Sequence, residues 1–578
     1  MRPLIPPLRI IVPVLCAALA AGCASVPEKP APPPAPDAAA LTIVAEIALQ
    51  RGDCRTASET YARAAQLASA PVAQRASEVA LACEDLPAAW ISAQRWRELA
   101  PRSREALAMY ATVALKLYRI AAARAAVKAF FSVPPPRARS HARRASGGRT
   151  AGKAETGDGR LADLSTLLLQ ECDPPEVFAA LNGLVDTTGA SPAQLTLLGE
   201  LALEGYDARA AEHYALLAVR ESPKDPEASL LLARSYVVLG QPVKAIAAAR
   251  ALMRKERQRG MFELADVYQQ LGRVEDAHQE LERLRAADAP RAVVDRRLAV
   301  LAYDSGDLRE AQQRFADLAE SGEGDESTLM YLSDIAAREG DTGAALAGYG
   351  KLADTSFALQ AREKAAALLL TSNRAAAALA LLQGYARQHP EDTVDLTVAE
   401  AQLLGSHRRT AEALKLLDAG LKSHPRHPSL EYERAVILEQ AGQVSEAVQA
   451  LQRLLAQRPD DPTVLNALGY TLADHDLQLP RAESLIRRAL VQMPDNPAVL
   501  DSLGWVRFRR GDTAGALPSL ERAYAISHDA QIAAHWGQVL WTAGRQEAAR
   551  KVWAEALART PASKSLQAVI ARFIPNAK

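Results

Sequence analysis

The sequence predicts an all-α fold in which helical pairs stack one on the next into an extended superhelix. Three observations carry that expectation. First, an alanine recurs at nearly fixed spacing. Ala211, Ala245, Ala277, Ala311, Ala345, Ala378, Ala413, Ala447, Ala482, Ala516 and Ala549 stand 32 to 35 residues apart. Second, other residues keep step with it, as Leu468-Gly469, Leu503-Gly504 and Trp536-Gly537 do before the last three alanines. Third, the chain is 49% hydrophobic but only 5% aromatic. An Ala- and Leu-rich composition suits closely packed helices better than sheets. One such pair cannot bury its apolar face alone, so the 578 residues are read as an array rather than one globular core.

Residues 1–22 read as a secretory signal peptide. Arg2 and Arg9 form a basic start, Ile10 to Ala20 an apolar run, and Leu19-Ala20-Ala21-Gly22-Cys23 a small-residue close. The run is too short for a stable membrane span. The residues before Cys23 resemble a bacterial lipobox, with Ala20 where Leu is usual. That resemblance implies lipidation of Cys23, and Ala24, where an Asp would favour the inner membrane, implies the periplasmic side of the outer membrane. Ordinary secretion with cleavage near Cys23 is the alternative. Residues 23–40 then form a tether, stiffened by six prolines between 26 and 37.

Residues 41–131 form an N-terminal block of the same kind. Ala57, Ala89 and Ala123 continue the register, with Tyr61 and Ala64 following and Pro101 ending the second unit. Cys54 falls at the start of one helix and Cys83 near the end of the next. Sequential antiparallel helices bring those ends together. In an oxidising exported compartment a disulfide is expected, worth about 3 kcal/mol; two separately buried thiols fit the same register. The five cysteines form no CxxC pair, which argues against zinc.

Residues 132–160 interrupt the array. Pro134-Pro135-Pro136 stops the third unit. Arg137, Arg139, Arg143, Arg144, Arg149 and Lys153 follow with no acid between them. The stretch reads as a solvated, disordered insertion; contact with anionic polymer or lipid headgroups is the functional alternative. Gly147-Gly148-Arg149-Thr150-Ala151-Gly152-Lys153-Ala154 nearly spells a phosphate-binding loop. Ala154 replaces the metal-binding hydroxyl, and no strand precedes it. Residues 161–191 read as a degenerate unit, with helices near Leu161–Gln170 and Pro175–Leu184.

The main array is placed at 192–562. Leu198-Gly199 repeats the Leu-Gly pair, Tyr236 and Tyr268 fill an aromatic place in the first helix, and Phe315 and Tyr349 one in the second. Pro223, Pro390, Pro425, Pro459, Pro494 and Pro561 end units, where proline cannot continue a helix. Gly306-Asp307, Gly340-Asp341, Gly442-Gln443 and Gly511-Asp512 mark turns within units. Together these residues resemble the tetratricopeptide (TPR) repeat, W-x2-L-G-x2-Y followed by A-x3-F, A and P. The resemblance implies a TPR-type α-solenoid of about fourteen helical pairs with a concave groove. Residues 563–578 are expected to hold a capping helix, from Ser563 to Phe573.

The resemblance also implies where a partner binds. The groove positions of the first helices include Asn466, Tyr470 and Asp474, then Asp501, Trp505, Phe508 and Arg509, then Gln538 and Trp541. Of these, Tyr470, Asp501, Trp505, Phe508, Arg509 and Trp541 are the candidate partner-binding set, because Trp, Tyr and Arg dominate binding hot spots. Packing against the cap is the alternative for Trp505 and Trp541, and the expected role of Trp536 and Trp553. The Lys/Asn clamp of some relatives is absent.

Metal, cofactor and enzyme readings find little support. His424-Pro425-Arg426-His427 and Asp474-His475-Asp476 fall in expected turns without further ligands at fixed spacing. No nucleophile elbow, HExxH helix or dinucleotide fingerprint occurs. Lys+Arg and Asp+Glu balance at 68 each, giving no general reason to expect nucleic acid. The expected function is a non-catalytic scaffold: an outer-membrane TPR lipoprotein serving an envelope assembly, secretion or polysaccharide-export complex. A lipoprotein activator of a cell-wall synthase or hydrolase is the alternative.

Overall fold

The computed structural model describes residues 37–134, 157–184, 190–287, 289–372, 374–388, 393–560 and 563–574. The signal peptide, Cys23 and tether residues 24–36, the basic residues Arg137 to Lys153, Pro390 and Pro561 lie outside them; the last residues assigned to the tether, Ala38 to Ala40, open the first helix instead. The described residues form 31 helices and no strand. Numbered in chain order, α1 to α30 are fifteen antiparallel pairs and α31 (Lys564–Phe573) follows the last. The expected all-α solenoid is thus the observed architecture. Among the described residues no helix is long and apolar enough to cross a membrane.

Each pair is built alike. In the first, α1 (Ala38–Gln50) runs into α2 (Cys54–Leu67). The recurring alanine is the fourth residue of the second helix in fourteen pairs. Every one of them, from Ala57 to Ala549, is at most 1% exposed. A larger side chain there would push the two helices apart. The fourth pair, α7 (Gly157–Leu169) and α8 (Pro174–Leu181), keeps the register with Val177, fully buried. Its second helix has only eight residues.

Turns and caps explain the periodic polar residues. Aspartates cap several of the second helices: Asp307 accepts from Glu310 N at 3.0 Å and Asp341 from Ala344 N at 2.9 Å. Each such cap stabilises a helix by about 1 kcal/mol. Gly306 and Gly340 precede them with φ of +89° and +86°, a backbone region closed to most side chains. Gly537 serves a different need. A Cβ there would lie 2.0 Å from Trp553 Nε1, so the helices cross tightly at the Trp-Gly pair.

The core is a chain of local clusters rather than one centre, each spanning a few neighbouring pairs. At the C-terminal end Trp541 of α29 (Ala530–Thr542) and Trp553 of α30 (Gln546–Arg559) pack against Phe573 of α31, with ring centroids 5.7 to 5.9 Å apart. At the other end α1 leaves Ile43, Val44 and Ile47 exposed. Its carboxylate Glu46 bonds instead to Tyr61 and, at 3.2 Å, to Arg75.

Candidate functional site

The first helices of successive pairs lie side by side, and polar residues one repeat apart link them. In the C-terminal pairs these helices are α23 (Pro428–Gln440), α25 (Pro462–Asp474), α27 (Pro497–Arg509) and α29. Glu439 meets His475 at 2.9 Å. Trp505 Nε1 donates to Asp474 Oδ1 at 3.0 Å. Arg509 donates to the Asp474 carbonyl at 2.7 Å and pairs with Asp476. His535 Nδ1 lies 2.9 Å from Asp501 Oδ2. The ladder continues upstream, where Lys364 reaches Asp334 at 2.7 Å and Gln402 reaches Glu433 at 2.9 Å.

This ladder revises the candidate set. Asp501 and Trp505 are each only 5% exposed. Trp505 stacks on the His535 ring at 4.2 Å, and Asp501 is spent on the same histidine. They hold neighbouring helices together and do not stand free in a groove. Trp541 stacks on Trp553 and Phe573, so it seats the capping helix. For Asp501 and Trp505 the reason is that in a solenoid the next repeat covers a face that one repeat alone would expose; Trp541, in the last pair and part-exposed, meets α31 instead. Tyr470, Phe508 and Arg509 remain part-exposed. Tyr470 accepts a bond from Gln531 at 3.0 Å, and Phe508 packs beside Trp505, centroids 5.5 Å apart. Asn466 and Gln538 are also on these helices, and Asn466 Oδ1 is buried without a partner.

Charge is set by burial and pairing. Burial disfavours the His535 imidazolium, but the Asp501 carboxylate outweighs it and holds the histidine above its ordinary value. Burial pushes the Tyr470 phenol far up, with Asp474 and Asp501 adding to it. Upstream, burial pushes Glu263 to about 7. Glu439, Asp474 and His475 place three potential ligand atoms within 4.8 Å of one another. Arg509 already supplies the cation, 3.5 Å from Asp474 Oδ1, and Trp505 takes the same oxygen. Both contacts tie this cluster into the ladder.

Cys54 and Cys83 are joined in a disulfide, their Cα atoms 5.4 Å apart. Cys172 is a buried free thiol. Sequence reasoning passed over His535, Gln531 and Glu439. For two of them the signal was present: Glu439 and His535 sit roughly one repeat from His475 and Asp501, whereas Gln531 reaches Tyr470 across 61 residues, nearly two repeats.

These features define an α-solenoid whose polar inner ladder fits a protein-binding surface. Its helical pairs are similar to tetratricopeptide repeats over part of the chain. The tetratricopeptide repeat family model matches residues 398–462. A TPR repeat-containing protein of Pseudomonas aeruginosa is 27% identical over 207 residues. That match spans 36% of this chain and 35% of the relative. A thermophilic TPR protein of Thermus thermophilus is 22% identical, with a TM-score of 0.29 over 32% of this chain and 99% of that one. A chain of the APC/C hetero-tetramer Cut9–Hcn1 is 14% identical, with a TM-score of 0.30 over 92% of this chain and 96% of that one.

Proposed function

We propose that this chain is a non-catalytic scaffold, tethered by lipid on Cys23 to the periplasmic side of the outer membrane. There it supports an envelope assembly, secretion or polysaccharide-export complex. The observation that carries the scaffold reading is the inner ladder. It fixes Tyr470, Phe508 and Arg509 as a part-exposed aromatic and basic patch on rigid helices, the kind of anchor that dominates protein interfaces. Leu19 to Cys23 supports the anchor. So does α1, which presents Ile43, Val44 and Ile47 directly after the tether, an apolar face suited to a bilayer surface.

The binding arm is tested by recovery of envelope proteins with wild type and with Tyr470→Ala/Phe508→Ala/Arg509→Ala. We expect at least a tenfold loss of one specific partner while helicity is kept. Equal recovery sinks the patch. The anchor is tested by incorporation of a labelled lipid precursor. Wild type should label and Cys23→Ser should not; an unlabelled wild type removes the lipoprotein reading without touching the patch.

A further inference from the structure

The solenoid touches itself. The connectors leading into α23, α25 and α27 share one frame: Pro425-Arg426-His427-Pro428, Pro459-Asp460-Asp461-Pro462 and Pro494-Asp495-Asn496-Pro497. The second proline of each opens the next helix. All three reach the N-terminal pairs. Glu84 Oε2 lies 3.0 Å from His427 Nε2. The Arg458 guanidinium stands 4.4 Å over the Tyr118 ring, and the Glu176 carboxylate of α8 lies beside Tyr118.

Asp495 makes the tightest contact. Its amide donates to the Tyr206 carbonyl at 2.8 Å. Its Oδ2 accepts from Ala208 N at 2.8 Å, across 287 residues of sequence. Ala208 is the first residue of α10 (Ala208–Glu221), so a carboxylate from a distant repeat joins the cap of that helix. Its other oxygen pairs with Arg522, and Asp495 is 1% exposed. Two clefts run along the same line. One, of about 740 Å³, lies between Cys83-Glu84 and Ser423 to His427. The other, of about 420 Å³, lies between Ile120 and Arg124 on one side and Arg488 and Val491 on the other.

The backbone marks the same line. Glu84, Tyr118 and Tyr206 occupy the turns within their pairs with φ of +57°, +49° and +58°. Other pairs turn at glycines such as Gly240, Gly306 and Gly442. Left-handed φ is unfavourable for residues with a Cβ, and it persists where the surroundings hold it. Arg426, at +63°, lines the larger cleft. Arg408, Asp476 and Gln478 also have positive φ and lie away from this line.

We propose that these contacts form a clasp: three Pro-x-x-Pro connectors dock on left-handed turn residues of the second, third and fifth pairs, and close the coil on itself as one cooperative unit. The Cys54–Cys83 disulfide pins its outer corner, because Glu84 follows Cys83 directly. The clasp sets how far the coil opens, independently of which partner the inner face takes.

Hydrogen–deuterium exchange on the full chain tests it. The connector at Pro223-Lys224-Asp225-Pro226 has the same frame and lies outside the clasp. In wild type, the segment 493–497 should exchange at least tenfold more slowly than 222–226. In Glu84→Ala/Tyr118→Ala, which alters neither Tyr206 nor Asp495, that difference should shrink at least threefold while α29 and α30 keep their protection. His427→Ala/Arg458→Gln, made on the connector side, should do the same if the first variant fails to fold. Equal exchange at the two connectors in wild type overturns the clasp. Unchanged protection at 493–497 in both variants overturns its cooperativity.

Discussion

His535 sits in an almost dry site, its ring stacked on Trp505 and its Nδ1 held by Asp501. A buried pair of this kind is costly to break from one side, because the remaining charge is left uncompensated. The His535 pKa is raised over the ordinary 6.5. The folded state therefore binds the proton more tightly than the unfolded chain does. That contribution to stability is full below pH 6.5 and is lost as pH rises through the raised value. Urea unfolding of the C-terminal repeats should show higher stability at pH 6 than at pH 9. Asp501→Asn should flatten that slope and cost about 3 kcal/mol at pH 6; an unchanged slope would remove the ion pair from the account. The pairing was legible in part. Asp501 and His535 are 34 residues apart, one repeat, as are Asp476 and Arg509 within a residue. Period alone does not say which of several polar residues on a helix will be covered, and that is why Asp501 and Trp505 read as exposed.

At the scale of the element, the last pair needs a lid, since an end repeat has no successor to bury its apolar face. Helix α31 supplies it, with Leu566 fully buried and Phe573 against Trp541 and Trp553. Trp541→Ala should cost about 2 kcal/mol by opening a gap beside Trp553. It should also release α31, seen as faster proteolysis after residue 563, while Trp541→Phe keeps the helix seated. Proteolysis unchanged by either variant would mean that α31 docks through Leu566 without the tryptophan. The helices themselves were legible because one steric rule, a small residue where two helices cross, recurs at the fourth place of nearly every second helix. The fourth pair escaped that rule. Val177 holds the alanine place in α8, and the helix is short, so the register looked broken where it was only filled differently.

For the whole molecule, two kinds of contact compete. Neighbour-to-neighbour packing makes a solenoid's stability close to a sum over adjacent repeats, so a piece with an intact cap should fold alone. The clasp adds contacts that no such sum contains. A fragment of residues 393–578 separates them. It keeps α31 and the inner ladder from Gln402 to His535, and loses Glu84, Tyr118 and Tyr206. By the first kind of contact it should be helical by circular dichroism and melt cooperatively. By the second it should melt about 4–8 °C below the full chain, the shift that roughly 2 kcal/mol makes at that length, and its 493–497 segment should exchange as fast as an ordinary connector. An unfolded fragment would show that the N-terminal block is needed to fold the array. A fragment as stable as the full chain, with 493–497 still protected, would show that this protection arises within the C-terminal repeats. Since Asp495 bonds across the coil to Tyr206 and Ala208 while also pairing with its neighbour Arg522, only the loss of protection, not the drop in melting temperature alone, assigns the difference to the clasp.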